Sequence, residues 1–121
     1  MDQKTYTAII KHEDCISMCF YIEHDKPLAI GDKMNEINEE AYMNGYNWEA
    51  FFNYYLSKYA PDILEDMDTD PEAGMYVAYY SLTSVNEARA ERFEELIHSL
   101  IENEDELLRI LREEGQNIEW D

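Results

Sequence analysis

The sequence predicts an α+β fold: an antiparallel β-sheet of about four to five strands, helices packed on one face, and two helices at the end. Three observations lead there. Residues 15–22 alternate with period two, and residues 48–59 repeat their apolar positions every three or four. The strand-like stretches also fall before and between the helices, joined by short polar links, the pattern of hairpins rather than of parallel crossovers.

In chain order, residues 5–10 are β-prone (Thr5, Tyr6, Thr7, Ile9, Ile10), and Lys11-His12-Glu13-Asp14 reads as a turn. In the next stretch Ile16, Met18, Phe20 and Ile22 share one face and Cys15, Ser17, Cys19 and Tyr21 the other. The two stretches form an opening hairpin. Residues 23–27 read as turn, Leu28-Ala29-Ile30 as the start of a third strand, and residues 33–44 as connection. Asn47 is placed to cap a helix whose stripe is Trp48, Phe51, Phe52, Tyr55, Leu56 and Tyr59, with Pro61 limiting its length. That aromatic stripe reads as core. Residues 64–69 and 75–81 predict a second hairpin across Asp70-Pro71-Glu72-Ala73-Gly74, with Pro71 presetting φ and Gly74 free to take φ > 0. Ser84 and Glu87 form a capping box for a helix with Ala88, Phe93, Leu96, Ile97, Leu100 and Ile101 inside. Asn103 and Glu106 offer a second cap, and Gly115 closes the last helix as its C′ residue.

The 121 residues suit a single domain, residues 1–121, and bury roughly two-thirds of the unfolded surface without needing disulfides or metal. Hydrophobic residues make up 45% of the chain, too many for a disordered acidic tail. Against 28 Asp and Glu stand 9 Lys and Arg, a net charge of −19. Such a balance argues against binding a phosphate backbone or an anionic membrane and favours a basic partner, a cation or plain solubility. No signal-peptide layout or membrane-length apolar run is present, which points to the cytoplasm. Cys15 and Cys19, four apart in a strand, would lie roughly 13 Å from one another, beyond disulfide reach, and read as reduced thiols.

The densest acidic run comprises Asp62, Glu65, Asp66, Asp68, Asp70 and Glu72, with no base among them. On helix faces such charge serves solvation. Here it brackets a predicted strand and turn, so several carboxylates point one way and repel, which suits a partner-binding surface. Asp66-x-Asp68-x-Asp70 resembles the start of a calcium loop, but Pro71 and Val77 stand where that loop needs Gly and Glu. His12, His24 and His98 show no zinc spacing. There is no nucleophile elbow, and four glycines cannot supply a phosphate-cradling loop. The sequence reads as a non-enzyme with no metal and no cofactor.

Asn44-Gly45-Tyr46-Asn47-Trp48-Glu49, followed about twenty residues on by Asp70-Pro71-Glu72-Ala73-Gly74-Met75-Tyr76, resembles the bacterial immunity protein 51 family. The family's G-Y-D/N-W segment opens a helix, and its D-P-E-A-G-M segment lies near an aromatic. Asn47 stands where Asp is expected, and both residues serve as helix caps. Gly45, Tyr46, Trp48, Pro71, Gly74 and Met75 carry the motifs and also have local explanations as turn, cap, core and hairpin residues, so they are read as fold determinants.

The resemblance implies a small cytoplasmic protein of a polymorphic toxin system, made beside a secreted or contact-delivered toxin. Such a protein binds the cognate toxin domain and silences it without catalysis or cofactor. A basic nuclease toxin would match the charge. Two alternatives remain: an acidic DNA-mimic inhibitor of another nucleic-acid enzyme, and a metal-dependent phosphoesterase built on Asp66, Asp68, Asp70 and a histidine.

Overall fold

The opening hairpin forms where the alternation places it. In the computed structural model, which describes residues 6–121, strand β1 (Thr7–Lys11) pairs antiparallel with β2 (Cys15–Phe20), with Ile9 opposite Met18. Thr5 lies outside the described residues. β2 pairs on its other side with β4 (Tyr76–Ser81), Cys15 opposite Ser81 and Phe20 opposite Tyr76. β3 (Asp68–Thr69) completes the order β1-β2-β4-β3. The sheet is antiparallel throughout.

Register assigns the two faces. Ile16, Met18 and Phe20 share a side with Tyr76, Ala78 and Tyr80, and all six are buried in the core. Helix α2 (Gly45–Tyr59) covers that side with Trp48, Phe51, Phe52 and Leu56, and α3 (Ser84–Glu102) with Ala90, Phe93 and Ile97. Trp48 meets Phe20 edge-on at 5.0 Å, and Phe52 meets Phe93 the same way at 5.1 Å, contacts worth about 0.5–1.5 kcal/mol each beyond area burial. The stripe fades along α2, where Tyr55 is half-buried and Tyr59 exposed. The α4 helix (Glu104–Glu114) seals the end with Leu107, Ile110 and Leu111. The architecture is α+β, with the helices on one face and two helices last, as the sequence predicts.

Several local expectations are corrected. Residues 23–44 hold neither a third strand nor only connection: Asp25–Ile37 is a helix, α1. Its buried residues are Pro27, Ile30, Gly31 and Met34, a helical stripe at i, i+3, i+4 and i+7 that is sparse enough to hide among polar neighbours. Leu28, read as strand, is half exposed on the outer side.

The expected strand at 64–69 is mostly a turn. Pro61–Leu64 is a 3-10 helix that buries Ile63, whose carbonyl accepts from the Tyr80 hydroxyl at 2.7 Å. Asp66 then takes φ 62°, the left-handed region that short polar residues tolerate, and two strand residues remain.

Caps move as well. Asn44, not Asn47, caps α2, accepting from the Asn47 amide at 2.9 Å. Thr83, not Ser84, caps α3, accepting from the Asn86 amide at 3.1 Å. Ala88 is exposed while Ala90 is buried. Asn103 occupies the N-cap of α4 without a side-chain bond. Gly115 stays right-handed at φ −58° and leads into a 3-10 turn. Gly74 does not use positive φ either. A Cβ there would come within 2.8 Å of the Glu23 carboxyl carbon, so the glycine makes room for that side chain.

Candidate functional site

The acidic run is divided by its own neighbours. Arg92 on α3 pairs with Asp62. Arg89, only 14% exposed at its side chain, lies 3.5 Å from Glu65 and 3.6 Å from Asp66. Hydrogen bonding to Arg92 lowers the Asp62 carboxyl below its ordinary value. These three carboxylates are therefore tied to the helix behind them.

Among the described residues no base pairs with the second half of the run. Asp68 lies opposite Tyr79, the Asp70 amide donates to the Val77 carbonyl, and Glu72 bridges to Met75. That register sends Asp68, Asp70 and Glu72 to the side of the sheet away from the helices. There the Tyr79 hydroxyl donates to Asp70 at 3.2 Å. Asp68, Asp70 and Glu72 are all exposed.

The two motif segments meet. The Gly45 amide donates to the Ala73 carbonyl at 3.1 Å, and the α2 N-terminus abuts the turn of the second hairpin. A Cβ on Gly45 would lie 1.8 Å from the Glu72 carbonyl oxygen, so only glycine permits that approach. Trp48 is buried behind it, Pro71 and Met75 are half-buried, and Tyr46 is 42% exposed. A family model described as Immunity protein 51 matches residues 7–116, both segments included.

The chain belongs to the immunity protein 51 family. Membership implies a toxin as partner. No curated protein and no solved structure matches the chain.

Two further features of this immunity protein were not foreseen. Beside the motif junction lies a cleft of about 170 Å³ whose lining includes Ile22, Leu28, Tyr42 and Met43, together with Glu23 and Asp32. No lysine or arginine among the described residues lines it. Tyr42 is 70% exposed. The missing signal was α1 itself, since the cleft needs that helix as a wall.

The other is a polar knot between α2 and α4. Glu114, 9% exposed, accepts from the Tyr54 hydroxyl at 2.5 Å, Lys58 at 2.7 Å and the Tyr59 hydroxyl at 2.8 Å. These bonds, Lys58 first, hold its carboxyl down at about 2. Sequence spacing cannot show this, because the partners lie 55–60 residues away.

The same pairing repeats across the immunity protein. Lys11, Lys26 and Lys33 are joined to Glu87, Glu102 and Glu104, and Arg109 to Glu106 and Glu113. Such exposed pairs add little stability, but they commit most of the described positive charge internally. The field left over is negative. Cys15 and Cys19 are free thiols, and burial raises that of Cys19. Among the described residues no group of three or more His, Cys, Asp or Glu is arranged to hold a metal ion. No helix there is long and apolar enough to cross a membrane.

Proposed function

We propose that this protein works in the cytoplasm as a single immunity domain that sequesters a basic toxin domain, a nuclease by class, by protein–protein contact and without catalysis. Family membership supports a toxin partner. The observation that carries the finer reading is the alignment of Asp68, Asp70 and Glu72 on one exposed side, in a chain of net charge −19 whose bases are largely paired within the fold. A field of that sign steers a basic partner and speeds encounter. Asp62, Glu65 and Asp66 add negative charge on the α3 side, part of it offset by Arg89 and Arg92.

The test is co-expression with the carboxy-terminal domain of the protein encoded immediately upstream, scored by survival and co-purification. Rescue with a stable complex supports the reading; toxicity without rescue or binding removes it. Reversing Asp68, Asp70 and Glu72 to lysine should leave the melting temperature in place and lower the association rate about tenfold at low salt. An unchanged rate with unchanged salt dependence excludes that patch.

A further inference from the structure

The cleft beside the motif junction matches one kind of occupant. At about 170 Å³ it falls below the roughly 300–1,000 Å³ of pockets that take drug-sized ligands, so it has room for a single side chain. Its apolar lining comes from Ile22, Leu28 and Met43, and the half-exposed Leu28 and largely exposed Tyr42 leave contact area uncovered. Glu23 and Asp32 add two carboxylates, Asn35 a carboxamide, and no base among the described residues offsets them. An apolar wall combined with carboxylates suits a side chain with a hydrocarbon stem and a cationic head.

The surroundings support a protein rather than a free ligand. Ala73, in the lining, directly follows Glu72, so the cleft borders the hairpin turn that carries the last carboxylate of the acidic run. An apolar depression rimmed by polar groups is the usual anatomy of an interface centre, where buried arginine and aromatic anchors carry most of the binding energy.

We propose that the cleft lined by Leu28, Tyr42, Met43, Glu23 and Asp32 receives an arginine side chain of the toxin, and that this contact anchors the complex. The proposal rests on the immunity reading above. The stem lies against Leu28 and Met43, and the planar guanidinium stacks on Tyr42 and donates to the carboxylates. Lysine, a compact point charge, would match the stacking and the paired acceptors less well.

The test uses the full chain and the upstream-encoded toxin domain as probe, with affinity measured for Tyr42→Ala, Asp32→Lys and a control, Asp105→Lys. All three positions are exposed, and thermal melts of the free variants check that each folds. Tyr42→Ala and Asp32→Lys should each weaken binding about tenfold or more, chiefly by faster dissociation, while Asp105→Lys changes it by about twofold at most. Replacing each arginine on the toxin surface by lysine in turn should identify one whose loss is silent in the Tyr42→Ala background. Wild-type binding that both cleft variants leave intact overturns the cleft anchor and leaves the immunity reading standing. An equal loss in the Asp105→Lys control also overturns it, since the effect is then general charge. Absence of wild-type binding removes the immunity reading and the anchor together.

Discussion

Gly45 and Ala73, from two segments 28 residues apart, are joined by a backbone hydrogen bond of 3.1 Å at the α2 N-terminus. The closeness leaves no space for a side chain, because a Cβ on Gly45 would sit 1.8 Å from one carbonyl oxygen of the turn and 2.3 Å from another. Backbone must move to admit it. Gly45→Ala should therefore destabilise the fold by about 3 kcal/mol or more, read as a lowered urea midpoint. A midpoint within error of wild type would show that the turn can retreat.

Asn47 is a connector rather than a cap. Its side-chain Nδ2 donates to the Tyr42 carbonyl at 2.7 Å and the Glu40 carbonyl at 3.4 Å, while its Oδ1 accepts from the Asp121 backbone amide at 2.7 Å. An aspartate would keep the acceptor and turn a carboxylate towards two carbonyl oxygens. Asn47→Asp should cost about 2–3 kcal/mol at pH 7, although the two residues are equivalent as caps. Chemical denaturation of the variant at pH 7 measures the loss.

Two buried tyrosines of β4 should behave oppositely. The Tyr76 hydroxyl is enclosed without a hydrogen-bond partner among the described residues, whereas that of Tyr80 donates to the Ile63 carbonyl. Tyr76→Phe should be neutral or slightly stabilising, and Tyr80→Phe should cost about 1 kcal/mol. Paired thermal melts decide the order, and a greater loss at Tyr76 would contradict the assignment.

Acid should act on the Glu114 knot. Its carboxyl ordinarily titrates at 4.5 and is held at about 2 in the fold. Because the folded value is the lower one, the stabilisation is fully present above 4.5 and is lost as pH falls from there towards 2. Glu114→Gln keeps an acceptor but not the charge facing Lys58. Its melting temperature should lie below that of wild type at pH 7, and the gap should narrow between pH 4.5 and 2. A gap independent of pH would locate the effect in packing.

Legibility of the fold followed the density of its signals. β2 and α2 were readable because each packs an unbroken apolar face on the core, Met18 and Phe20 in one and Trp48, Phe51 and Phe52 in the other. α1 was not, since only four of its thirteen residues are buried and its apolar triplet Leu28-Ala29-Ile30 joins two exposed residues to one buried one. The acidic run was visible as composition. Its division was not, because Arg89 and Arg92 reach it from α3, some 23–30 residues along the chain. The motif segments could be recognised separately, while their contact depends on three-dimensional closure.

The pairing of β2 with β4 also sets a timetable. Cys15 finds Ser81 and Phe20 finds Tyr76 only after both α1 and α2 have been threaded between them. With synthesis at about 5–20 residues per second, β2 spends its first seconds with β1 alone beside it, and the sheet closes only after Ser81 leaves the ribosome. Pairings so remote in sequence slow folding, since a long loop must be closed before its contacts repay the lost freedom. A newborn chain is therefore a hairpin and helices awaiting a centre, and its surface takes its final form only when the fourth strand arrives.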